Sequence, residues 1–196
     1  MYIKGVFILT CCFQSIRMSA FRFSIFALAI FMSSCSGQLE KHGELFAEFM
    51  KNDDGVFRGV NIGDNMDQVE NSEGTAANDD SNKNLRSYEG SIGESGTYVI
   101  RYGFENGKVY EILVESSFDE NKEGLEMISG FRDFFNEKYG LFEKEAGYLV
   151  WKTKTAAHSP NCVIEMVDES EFADFGQFSL SIYREPLAHN QDSLVQ

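Results

Sequence analysis

The stretch TYVIRYGFENGKVYEILVE, residues 97–115, constrains the fold more than any other. Two runs rich in β-branched and aromatic residues flank Asn106-Gly107, the strongest short-range signal for a β-hairpin. A two-residue Asn-Gly turn would oppose Phe104 to Val109, Tyr102 to Glu111 and Tyr98 to Glu115, with carboxylates beside aromatics on one face. A three-residue loop, with a type I turn and Gly107 left-handed as a bulge, opposes Phe104 to Lys108 instead. That register gathers Tyr98, Ile100, Tyr102, Phe104, Tyr110, Ile112 and Val114 on one face, and leaves Val99, Arg101, Val109, Glu111, Leu113 and Glu115 on the other. A one-residue slip flips every side chain, so the cleaner partition predicts the bulged register.

Helical periodicity surrounds the hairpin. In LEKHGELFAEFMKNDDG (39–55), Leu45, Phe46, Phe49 and Met50 share one helical face, and Asp53, Asp54 and Gly55 end it. This helix either docks on the domain or acts as a tether. In NIGDNMDQVENSEG (61–74), Asn65 and Gln68 have capping-box spacing, Met66 and Val69 point inward, and Gly74 fits a C-terminal stop. The polar stretch 75–84 is an exposed loop. The main helix spans 121–140, with Leu125, Ile128, Phe131, Phe135 and Tyr139 as its buried stripe. Gly130 weakens that helix and therefore implies close approach to a strand. Strands follow at 147–153, 162–168 and 177–185, and another near LRSYEG (85–90) would precede the hairpin. The fold class is α+β: an antiparallel sheet with helices packed on one face, arranged as two α-β-β-β units if the 85–90 strand forms.

The first 34 residues stand apart. Phe23–Met32 is ten residues with only Ser24 polar, preceded by Arg17 and Arg22 and followed by small residues, the pattern of a signal peptide. It is shorter than the roughly 20 apolar residues that span a bilayer. Met18 offers an alternative start. Met32-Ser33-Ser34-Cys35 resembles a bacterial lipobox, which implies cleavage before Cys35 and a lipid (diacylglycerol and an acyl chain such as palmitate) on its sulfur and amino groups. Each buried methylene contributes about 0.8 kcal/mol to such an anchor. The expected organisation is a leader over 1–34, a lipidated segment with a docking or tethering helix over 35–56, one domain over 57–186, and a loose tail over 187–196.

Charge excludes some partners. From Cys35 on, 14 of the 17 Lys and Arg face all 31 Asp and Glu, a formal net charge of −17. Such a surface disfavours nucleic acid and anionic membrane surfaces. Beyond Cys35 the one remaining cysteine is Cys162, in a strand pattern where a buried inert thiol is the default. His42, His158 and His189 have no metal-ligand spacing. Ser159, His158 and Asp168 supply the residue types of a triad, but adjacent His and Ser side chains rarely face one another and no nucleophile elbow is present. Asp79–Asn84 begins like a calcium loop but lacks the sixth-position glycine, and its twelfth position is Ser91. Trp151 alternates with other apolar residues and is read as core, with a carbohydrate platform as the competing reading. No catalytic, cofactor or metal residues are expected.

GVNIGDNMDQV followed by YVIRYGFENGKVYEILV resembles a pattern of small bacterial lipoproteins, the SmpA/OmlA type found as the small subunit of the outer-membrane β-barrel assembly machine. It is also similar to the tandem repeats of the β-lactamase inhibitor protein. Ile62, Gly63, Val69, Tyr102, Phe104, Gly107 and Ile112 carry the resemblance, over roughly a third of the chain beyond the leader. It implies a fold rather than an activity. The resulting expectation is a non-enzymatic interaction module of the cell envelope. It would be lipid-anchored through Cys35, in the outer rather than the inner membrane, and would contact an envelope or secreted protein through Val99, Arg101, Val109 and Leu113. The alternatives are an inhibitor or immunity-type protein against a secreted enzyme, and a small-ligand or glycan binder.

Overall fold

The computed structural model describes residues 37–78, 82–153, 161–170 and 175–185. Its elements run α1 (Gly37–Glu40), α2 (Glu44–Met50), α3 (Met66–Glu73), β1 (Leu85–Ile92), β2 (Gly96–Glu105), β3 (Lys108–Phe118), α4 (Asn121–Tyr139), β4 (Glu143–Glu145), β5 (Tyr148–Lys152), β6 (Cys162–Asp168) and β7 (Gly176–Arg184). The strands form one antiparallel seven-stranded sheet, ordered β1-β2-β3-β7-β6-β5-β4. The fold is α+β. Among the described residues no helix is long and apolar enough to cross a membrane.

Local sequence explains most elements. Asn65 Oδ1 accepts from the Gln68 backbone N–H at 3.0 Å while Gln68 Oε1 accepts from the Asn65 N–H at 3.0 Å, the reciprocal cap implied by their spacing. Gly74 ends α3 in the left-handed conformation. The segment 39–55 is not one helix: Gly43, at φ 117°, separates α1 from α2, and Lys51 at φ 63° ends α2. Leu45, Phe46, Phe49 and Met50 are all buried in the main core, so α2 is docked.

The hairpin satisfies both turn chemistry and burial, and in doing so corrects the predicted register. Asn106 and Gly107 both have positive φ, 52° and 72°, as a two-residue primed turn requires. Phe104 therefore faces Val109, not Lys108. The extra residue is accommodated further along, where the register shifts between Gly103 and Phe104, after which Tyr102 pairs with Ile112 and Ile100 with Val114. Tyr110 thus turns outward and lies against Gly103, where a Cβ would sit 2.9 Å from its ring. Val109 turns inward.

The core is aromatic. Phe131 on α4 lies beside Phe46 and Phe49 of α2, Phe57, and Phe178 of β7, with ring centroids 5.1–6.4 Å apart. The buried stripe of α4 is Gly124, Met127, Ile128, Gly130, Phe131, Phe134 and Phe135, rotated from the predicted one: Leu125 is 49% exposed and Tyr139 is half-buried. Close packing explains the rotation. A Cβ on Gly124 would lie 2.7 Å from Gly176 Cα, so α4 touches β7 there. Gly130 instead admits α2, since its Cβ would meet Phe46 Cβ at 2.6 Å and the His42 carbonyl at 2.8 Å. The close approach at Gly130 is to a helix, not a strand.

Gly124→Ala should destabilise the domain by about 1–3 kcal/mol in urea titration despite alanine's better helix propensity, because backbone cannot move aside. Gly37→Ala, with nothing within 4 Å of the added methyl, should be neutral in the same titration.

Candidate partner-binding face

Period-two alternation gives the sheet two unlike faces. Tyr88, Ile100, Tyr102, Ile112, Val114, Leu180, Ile182, Ile164 and Trp151 point into the core. The opposite face carries the intervening residues in rows across the strands. One row is Ser87, Arg101, Leu113, Ser181 and Glu165, and the next is Glu89, Val99, Glu115, Ser179 and Val167. Val99, Arg101, Leu113 and Val167 are half-buried, and Glu115 is exposed. Arg101 Nη1 reaches Glu115 Oε2 at 2.9 Å, an exposed pair of small energetic value. Tyr183 donates to Glu165 Oε1 at 2.7 Å; burial first, then this carboxylate, push its hydroxyl up to about 12. Glu89, Glu111, Glu115 and Glu165 thus surround a small apolar centre that has one guanidinium.

Three of the four residues expected on this face, Val99, Arg101 and Leu113, stand together there. Val109 does not: it is 0% exposed, and its N–H and C=O pair with Asp64 and Gly63, both at 2.8 Å, so the entry to α3 closes over the hairpin tip. Cys35, His158, Ser159, His189 and Asp79–Ser81 lie outside the described residues. Asp168 Oδ1 accepts from the Ser170 N–H at 2.9 Å, a local turn contact. Cys162 is buried against the Thr153 hydroxyl at 3.2 Å, and burial raises its thiol. Trp151 is 2% exposed, lies near the Phe135 and Phe142 rings, and donates to Asn136 Oδ1 at 3.0 Å, so it offers no open platform. Among the described residues, no three His, Cys, Asp or Glu side chains converge as a metal site requires.

Sequence reasoning missed a buried charged cluster. Arg58, in the left-handed region at φ 49°, turns its guanidinium inward. Its Nη2 lies 2.7 Å from Glu73 Oε2, with both side chains 2% exposed, and Nη1 donates to the Phe49 carbonyl at 2.8 Å. The other Glu73 oxygen accepts from the Tyr102 hydroxyl, whose pKa is raised well above its ordinary value by burial and then by Glu73. The guanidinium also lies over the Phe49 and Tyr98 rings, 5.3 and 5.6 Å from their centroids. These groups join α2, α3 and β2 in one buried polar network. Glu73, at the polar end of an exposed-looking helix, gives no local signal of a partner fifteen residues away.

A cleft of about 220 Å³ lies between α1 and α4, lined by Gln38, Leu39, Lys41, His42, Asp53, Phe134, Glu137 and Lys138. Lys41 Nζ pairs with Glu137 at 2.6 Å, and Lys138 Nζ donates to the carbonyls of Asp53 and Gly55 at 2.7 and 2.6 Å. His42 sits edge-on to Phe46 and Phe134, and its Nε2 is 3.4 Å from Glu137 Oε2. Burial, then Lys41, hold its pKa below 6.5 against the opposing pull of Glu137 and Asp133.

With this geometry established, comparison with known proteins returned no match: no protein-family model, curated protein or solved structure resembles the chain closely enough to assign it.

Removing one partner of the buried pair leaves the other charge stranded, so Arg58→Met should cost about 3–5 kcal/mol. The double variant Arg58→Met with Glu73→Leu should lose less than the single one, measured by urea denaturation. His42 gives a second test. Its folded pKa is depressed, so the unfolded chain takes up the proton first as pH falls. Stability present above about 6.5 is lost as pH drops from there toward the folded value. His42→Gln should lack that increment in thermal melts between pH 7.5 and 5.

Proposed function

We propose that this chain is a lipid-anchored lipoprotein of the bacterial cell envelope whose domain is a non-enzymatic protein-interaction module. In this reading Cys35 carries the lipid, the outer membrane holds it, and the open sheet face is the contact surface. The observation that carries the proposal is that face itself. Val99 and Leu113 sit with Arg101 on β2 and β3 of a broad sheet whose reverse side is core, a mixture of apolar and charged groups of the kind interfaces use. The helices are read as covering the other face alone. Supporting this, Phe49 meets Tyr98, Phe131 meets Phe178 and Phe135 meets Trp151, each a core-face residue. The order also fits two units, α3 with β1–β3 and α4 with β5–β7, meeting at β3 and β7. This is compatible with the resemblance to SmpA/OmlA lipoproteins and to the β-lactamase inhibitor repeats.

A second reading, an inhibitor of a basic secreted enzyme, is favoured by the carboxylates Glu89, Glu111, Glu115 and Glu165 around Arg101. It predicts salt-sensitive binding to a soluble partner. In-cell crosslinking and pull-down of the lipidated protein, with Cys35→Ser as control, separates the two. Capture of an envelope protein that is lost in the control supports the anchored module. Capture of a soluble enzyme retained in the control supports the inhibitor. No capture by a folded, membrane-bound protein contradicts both.

Val99→Lys with Leu113→Lys should abolish capture while the domain stays folded, each half-buried position losing about 1 kcal/mol. Val109→Lys should instead unfold the domain, because it buries an unpaired ammonium at a cost of several kcal/mol, roughly. Circular dichroism melts of the two variants distinguish the faces.

A further inference from the structure

Resting on the lipid anchor proposed above, we infer that the α1–α4 end of the domain meets the bilayer and that its cleft receives the zwitterionic headgroups of the anchoring membrane. The first argument is chain length. Leu39 is buried in the core and α1 begins at Gly37, so Ser36 alone separates Cys35 from the first helical turn. Four residues, fully extended, reach about 14 Å. The helical turn shortens that reach, so a lipid on Cys35 lies within it of the buried Leu39. α1 is therefore held at headgroup depth.

The second argument is charge. The cleft at α1 carries two ammonium groups, Lys41 paired with Glu137 and Lys138 donating to the carbonyls of Asp53 and Gly55, and two carboxylates, those of Glu137 and Asp53. A headgroup with one phosphate and one ammonium is complementary to such a balanced set. An anionic surface would repel a body with a net charge of −17 beyond the leader. The layering then orients the rest. α2 packs on α4 through Phe46 against Phe131 and Phe134, and α4 packs on β7 through Phe131 against Phe178. The helices lie between bilayer and sheet, and the face bearing Val99, Arg101 and Leu113 turns away from the membrane.

The test uses the full lipidated chain in vesicles of phosphatidylethanolamine and phosphatidylcholine that contain a lipid with a nitroxide on its headgroup. A fluorophore is placed at Glu40→Cys, on α1 beside the cleft, or at Glu89→Cys, on the open face; both positions are exposed, and native Cys162 is buried. Quenching should be several-fold stronger at 40 than at 89. Equal quenching, or stronger quenching at 89, in a chain whose intact mass includes the acyl groups overturns the orientation and leaves the anchor standing. An intact mass with no acyl groups on Cys35 overturns the anchor and this inference together.

Discussion

The pairing of β3 with β7 makes one sheet out of two separate sets of strands. Ile112 faces Ile182 and Val114 faces Leu180, and the opposite sides of the same strands carry Leu113, Ser181, Glu115 and Ser179. β1 and β2 extend outward from β3, while β6, β5 and β4 extend from β7. This non-local contact joins residues 58 to 72 apart, so the chain must close a long loop before the pairing is rewarded. The loop contains α4, whose Phe131 packs on Phe178 of β7. Gly124 and Gly176 let helix and strand approach to backbone contact beside it. The central pairing and the aromatic core thus support each other.

Much of this was legible locally. Asn65 and Gln68 form their capping box because both partners lie within one helical turn. The strand over 162–168 has the predicted limits, Cys162–Asp168, and the hairpin pairs the two expected runs. What escaped depends on distant partners. Partition of side chains alone placed the bulge at Gly107. Asn106 and Gly107 instead took the tight turn, and the bulge moved to Gly103 and Tyr110, carrying Val109 from the proposed contact face into the core. Leu125 and Met127 compete for burial on α4 under the same period, and the close contacts of Gly124 with Gly176 and of Gly130 with Phe46 and His42 go with the rotation seen. Arg58 and Glu73 carry no local mark of burial, since their pairing brings together a left-handed turn and a helix end.

These corrections sharpen the candidate site. Without Val109, the proposed contact face is narrower and lies on β2 and β3, centred on Leu113 and Arg101 rather than at the hairpin tip. The tip is occupied by the chain itself, through Gly63, Asp64 and the Asn65–Lys108 bridge. The buried charges of Arg58 and Glu73 are neutralised internally, so the acidic character of the chain is expressed at its surface. Carboxylates border the apolar centre, and a partner with basic groups around an apolar projection would be complementary to it.

The most direct test places a photo-crosslinking amino acid at Leu113 in cells producing the full chain, with the same residue at Leu125 on the exposed side of α4 as comparison. The account predicts a discrete adduct with one envelope protein from position 113 and none from 125. Adducts from 125 with none from 113 would contradict it, and would move the interaction surface from the sheet to the helices.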